Sequence, residues 1–255
     1  MVNPPQLNQE KSHAVGFWEH MDELRIRLVR CLYVFFAGFV GFYFVSDILL
    51  DVLRKPLFKV LPEAQRHLYY TGLFENFLVH LKVSAHASLF LLSPLYFVMI
   101  WGFVSPGLTQ QERKRLRPFL AGAAVFFLVG VSFAYFYLFP KGVQFFMNYG
   151  TGAEVPLLTL EAYVDLVLKV LSGFGIAFEL PMIIILLVQL GVISVGTLRE
   201  HRRTAMIIIA GVSALVAPPD ALSMVLLMAP LYFLFEAAVF VSARFIGKKI
   251  PLDTN

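Results

Sequence analysis

Cysteine is nearly absent from this 255-residue chain, with Cys31 standing alone in an apolar run. That excludes an internal disulfide and any cysteine cluster around a metal. Charge is scarce as well: Asp, Glu, Lys and Arg make up only 15% of residues, with a formal net charge of +4. No His-Glu-x-x-His, Gly-x-Ser-x-Gly or glycine-rich phosphate loop occurs, so the usual signatures of metalloprotease, hydrolase and nucleotide chemistry are missing. The six histidines are scattered, and His80 and His86 are six apart, unlike the i, i+4 pair with which a helix holds a metal. No enzyme activity, cofactor, metal or nucleic-acid partner is expected. The first 27 residues carry Glu10, Lys11, Glu19, Asp22 and Glu23 and lack an apolar core, so no cleavable signal is expected there.

What the chain does have is apolar surface. Hydrophobic residues make up 58%, 26 residues are Phe, and the mean hydropathy is +0.74. A soluble domain of this size could not bury so much, so the bilayer must act as solvent. Measured against the roughly 20 residues that cross hydrocarbon, the uncharged stretches predict an all-α integral membrane protein. It is read as a single domain of six tilted helices forming a curved, concave wall. The expected spans are 31–46, 74–104, 115–146, 160–192, 203–216 and 221–243, with 1–27 and 244–255 as flanking segments.

Basic residues set the orientation. Lys11, Arg25, Arg27, Arg30, Arg113, Lys114, Arg115, Arg117, Arg199, Arg202, Arg203, Arg244, Lys248 and Lys249 fall on one side; Arg54, Lys55, Lys59, Arg66 and Lys141 fall on the other. The positive-inside bias therefore places both termini in the cytoplasm. The segment 47–72 is expected to pack as a small cap over the outer ends. The fifth span is short, with 14 uncharged residues between Arg203 and Pro218, about 21 Å at 1.5 Å per residue. Prolines 94, 140, 181 and 230 are expected to kink or end helices. No internal repeat is evident.

Three acids stand out. Glu179 lies in an apolar run without a basic residue between Lys169 and Arg199. An ionised group at that depth costs several kcal/mol and usually faces a protein interior, a partner or a wet cavity. Glu23 and Glu112 lie just before the first and third spans, among arginines. Each could simply neutralise its neighbours and favour a helix N-terminus. Together they could instead accept a pair of guanidinium groups, with which carboxylates make directional bidentate contacts.

The segment Phe17-Trp-Glu-His-Met-Asp-Glu-Leu-Arg-Ile-Arg27 resembles the opening of the TatC family, the polytopic subunit of the twin-arginine protein translocase. So do Trp101-Gly-Phe-Val-Ser-Pro-Gly-Leu108 with Glu112, Phe133-Ala-Tyr135, Phe139-Pro140, Gly175-Ile-Ala-Phe-Glu-Leu-Pro181, Pro218-Pro-Asp220 and Phe235-Glu236, in the family's order. The resemblance implies a receptor that exports folded proteins across the bacterial inner membrane. Such a receptor binds twin-arginine signal peptides, joins single-span TatA-like and TatB-like partners and further copies of itself, and draws on the proton-motive force. Carried over by motif, Glu23, Arg25, Phe103, Leu108 and Glu112 would form the signal-peptide site. Glu179 and Glu236 would be the intramembrane polar groups, and Pro56 and Asp220 would belong to the external loops.

Asp220 is read more simply as the N-cap of the last helix, and Glu236 could pair with a neighbouring helix or snorkel toward the cytoplasmic interface. Where the family often carries polar residues for partner docking, this chain has Ala217 and Met224, with Ser213 nearby. Apolar packing is therefore expected to dominate that contact. The rival reading is a proton-coupled secondary transporter using Glu179, against which the absence of repeats counts.

Overall fold

The computed structural model describes residues 6–63, 66–105, 110–148, 157–216 and 221–245. Within them the chain is helical almost throughout, the one β-type contact being an isolated bridge between Tyr69 and Thr159.

The first helix, α1 (Gln6–Tyr43), begins long before the expected span and runs for 38 residues. Its first half carries Gln6, Gln9, Glu10, Lys11, Glu19 and Glu23, residue types that favour helix without needing an apolar environment. Only Met21–Tyr43 is apolar enough to cross a membrane. The next helix, α2 (Ser46–Val60), is amphipathic: Leu50, Leu53, Pro56 and Leu57 are buried, while Asp47, Asp51, Lys55 and Lys59 are exposed. It supplies the helical body of the segment expected as a cap.

The helices α3 (Glu75–Leu91) and α4 (Ser93–Val104) follow one another with a bend of 57° between them, and together are long and apolar enough to cross a membrane. The bend follows from Pro94, which cannot donate to the carbonyl of Phe90 four residues back. Ser93 Oγ donates to that carbonyl instead, at 2.7 Å.

A second interruption follows α5 (Gln110–Phe133). Residues Ala134–Leu138 form a π-helical turn, closed by a bond from Phe139 N to Ala134 O, before α6 (Phe139–Asn148). Pro140, with no N–H for Phe136, stands just beyond it. A third break separates α7 (Leu160–Ala177) from α8 (Leu180–Gln189), with Pro181 in the first turn of α8. After the short α9 (Val195–Glu200) come α10 (Arg202–Val216) and α11 (Ala221–Phe245). Pro230 sits inside α11, which continues through it.

Among the described residues four continuous stretches are long and apolar enough to span a bilayer: Met21–Tyr43, Phe119–Met147, Leu160–Gln189 and Leu227–Arg244. Counted as one span, the bent α3–α4 pair makes a fifth. At 15 residues α10 falls short of that length.

The core lies where α7 meets α3 and α5, roofed by α2; Phe174, Val164, Val167, Leu50, Leu57 and Val79 are almost fully enclosed. Small residues allow the close approach. A Cβ at Gly130 of α5 would press on the Phe174 carbonyl and the Phe178 side chain of α7, and one at Gly175 would meet Phe127 and Val131. Likewise α1 meets α3 through Gly38 and Ser88, whose Oγ donates to Phe35 O at 3.0 Å.

Candidate functional site

The site forms where α1 passes the end of α4. Glu23 and Arg27 are four apart on α1, with the acid N-terminal to the base, the favourable order for a helical pair. Arg27 Nε donates to Glu23 Oε1 at 3.2 Å, and Nη2 makes a shorter bond to the same oxygen. The pair is half-shielded, with side-chain exposures of 34% for Glu23 and 26% for Arg27, so it is neither a solvated rim contact nor a buried one.

The shielding comes from α4. Arg27 Nη1 reaches the carbonyl of Met99 at 3.5 Å, and its guanidinium lies so close over Gly102 that a Cβ there would collide with it. One turn further along α1, Cys31 Sγ lies 3.4 Å from Met99 Sδ. Among the described residues both bonds to Glu23 fall on Oε1, and its other oxygen has acceptor capacity for a further donor.

Three residues past Gly102, the carbonyl of Ser105 accepts from Arg113 Nε at 3.1 Å and Nη2 at 2.7 Å. Arg113 follows Glu112 in the first turn of α5, so the backbone brings the helix carrying Glu112 to the end of α4 that Arg27 touches. Phe103 is half-buried at the same end of α4, and Arg25 is exposed on α1. The side chain of Glu112 and the whole of Leu108 lie outside the described residues. The result is a junction in which Arg27 holds Glu23 beside the end of α4 and Arg113 caps the carbonyl of Ser105.

Glu179 stands in the break between α7 and α8. Its N–H bonds Ile176 O at 3.0 Å, and its carbonyl accepts from Ile183 N at 2.9 Å. Its Oε1 is buried without a hydrogen-bond partner among the described residues. Glu236 on α11 is bound on both oxygens, by Tyr232 OH at 3.0 Å and by Arg202 Nη2 of α10 at 2.9 Å. Pro56 is buried in α2. Ser213 is buried on α10 with Oγ unpartnered among the described residues, and Met224 packs against the core. Asp220 and Ala217 lie outside the described residues.

Sequence reasoning passed over several polar groups. Arg27 could have been found from its i, i+4 spacing to Glu23. Lys82 on α3 bonds Glu161 Oε1 at 2.8 Å and both oxygens of Asp165, at 2.8 and 2.9 Å, on α7. Glu75 is 5% exposed; it accepts from Thr71 N, Thr71 Oγ1 and Gly72 N, and from Glu161 N at 3.0 Å. The Lys82 bonds and the Glu75–Glu161 bond join residues about 80 positions apart, and no local pattern announces them.

Comparison with known proteins agrees over most of the chain. Residues 19–230 match the family described as Sec-independent protein translocase protein (TatC). The TatC protein of Desulforapulum autotrophicum is 37% identical over 96% of this chain and 89% of its own length. That of Escherichia coli K12 is 31% identical over 90% and 88%. The crystal structure of the twin arginine translocase receptor TatC in DDM superposes with a TM-score of 0.79 at 30% identity, covering 87% of this chain and 98% of that one. By sequence and by fold, then, the chain belongs to the TatC family: it is a multi-pass helical membrane subunit of a Sec-independent protein translocase, not a member of a catalytic enzyme family.

Proposed function

We propose that this chain is the receptor and core subunit of a twin-arginine translocase in the bacterial inner membrane. It has both termini in the cytoplasm, with α10 as the short fifth of six spans. Its signal-peptide site consists of Glu23 and Glu112, with Arg25, Phe103 and Leu108 around them. The arginine pair of an export signal lies against the two carboxylates, and the apolar segment behind it follows the helix wall toward Glu179. Single-span TatA-like and TatB-like partners assemble at α10 and α11, around Ser213, Ala217 and Met224, and the proton-motive force drives transport.

The observation that carries this reading is the meeting of α1, α4 and α5 at one end. There Arg27 rests on Gly102 and Arg113 binds Ser105 O, so a short peptide could touch the helices that bear both acids. Guanidinium–carboxylate pairing in a half-shielded site favours arginine over lysine, because the planar fork can use two oxygens at once.

The test is photocrosslinking of a paired-arginine signal peptide to the membrane-embedded protein. Glu23→Gln and Glu112→Gln should each cut crosslinking roughly tenfold, about 1.4 kcal/mol, while insertion stays unchanged. A paired-lysine peptide should crosslink poorly to the unaltered chain. Undiminished crosslinking in both variants would sink the assignment.

Glu179, with its orphaned oxygen, also suits a proton-coupled carrier. Solute flux by this chain alone in liposomes would favour that reading.

A further inference from the structure

Pro56 removes one backbone bond from α2: lacking an N–H, it leaves the carbonyl of Val52, four residues back, without its helical donor. A half-buried carbonyl so deprived needs another partner. Tyr135 supplies it, its hydroxyl donating to Val52 O at 2.6 Å, and Tyr163 of α7 donates to the next carbonyl, Leu53 O, also at 2.6 Å. Tyr135 belongs to the π-helical turn Ala134–Leu138, just ahead of Pro140.

We infer that Pro56, Tyr135 and Tyr163 form a latch that fixes α2 onto the two long spans behind it: Pro56 exposes the Val52 carbonyl, and the tyrosines are the positioning residues that engage α2. Pro140 complements Pro56, since the π turn that it accompanies presents Tyr135. The latch has a definite load. Leu49, Val52 and Leu53 of α2 form one wall of an open apolar cavity of about 290 Å³, also lined by Phe90, Leu128 and Leu168. Holding α2 in place keeps that wall in position.

Ring packing and a backbone hydrogen bond make different predictions, because Ala at position 56 restores an N–H that can satisfy Val52 O from within α2. Hydrogen exchange of the full chain in nanodiscs is the measurement. Tyr135→Phe should speed exchange across residues 46–60 roughly fivefold, the loss of one net hydrogen bond. In a Pro56→Ala background the same change should add less than about twofold, the bond having already been replaced. Equal increments in the two backgrounds, no increment, or an increase spread evenly over the chain would overturn the latch. Should Pro56→Ala fail to fold, Tyr135→Phe against the exposed Tyr137→Phe still decides. Faster exchange confined to 46–60 in the first and absent from the second supports the latch; equal effects in both overturn it.

Discussion

At the scale of single residues, the candidate site depends on one glycine. Gly102 leaves room for the Arg27 guanidinium, and Arg27 in turn fixes Glu23. A side chain at 102 would meet only the far end of a flexible arginine, so α1 and α4 need not separate. Gly102→Val is therefore expected to keep stability within about 1 kcal/mol, below the usual range for overpacking a rigid core. It should nonetheless weaken paired-arginine peptide binding several-fold, because Glu23 loses its orientation. Thermal unfolding in detergent and peptide titration measure the two effects separately; a large fall in melting temperature with unchanged binding would contradict this account. Glu23, Glu112 and Glu179 are legible in the sequence because a carboxylate in apolar or arginine-rich surroundings is conspicuous by type. Gly102 is not, since its neighbour is 75 positions away and a glycine near a helix end has many uses.

At the scale of elements, prolines and the donors that answer them shape the helices. Pro94 bends α3 from α4 and Ser93 takes up the Phe90 carbonyl. Pro140 and Pro181 stand beside the π turn and the α7–α8 break. Pro230 leaves α11 unbroken, so a proline in the sequence marks a freed carbonyl but not the size of the bend. What the surrounding helices offer decides the rest.

Polar cross-ties then fix neighbours at the end remote from Glu23. Lys82 joins α3 to α7 through Glu161 and Asp165, and Glu75 holds the turn at 71–72 and the start of α7 together. The Lys82 cluster is partly open, with side-chain exposures of 34% to 50%, so each pair contributes only about 0.2–1 kcal/mol and is screened by salt. Lys82→Met should lower the melting temperature by a few degrees in low salt, and by less in 1 M salt. A loss independent of ionic strength would mean that packing of the lysine stem, rather than charge, ties α3 to α7.

At the scale of the whole molecule, apolar side chains turn outward over much of its length. Tyr33, Phe36, Phe44, Phe136, Phe233 and Phe240 are all more than half exposed, and within the span Met21–Tyr43 of α1 none of the apolar window is buried. Such faces suit a lipid environment. The proposed topology makes a direct prediction. A cysteine replacing the exposed Lys59 on α2 should react with an impermeant thiol reagent from outside the cell, while reporters fused beyond Asn255 should be active in the cytoplasm. The reverse pattern would overturn the orientation. The 15 residues of α10 rise about 22 Å, against a hydrocarbon core of about 30 Å, so the bilayer is expected to thin beside it.

Composition alone determined that this chain lives in a membrane as helices, because no soluble core could take up so much apolar surface and only helices or closed barrels satisfy the backbone in lipid. Order of motifs determined its family and pointed to the acids of the candidate site, since both are local properties of the chain. The tertiary structure decided which groups meet: Arg27 over Gly102, Lys82 between Glu161 and Asp165, Tyr135 and Tyr163 on the carbonyls beside Pro56. Such pairings depend on how tilted helices cross, and crossings are set by the packing of many side chains at once. A hydrogen bond needs its partners within about 3 Å, and no spacing along one strand of sequence carries that information.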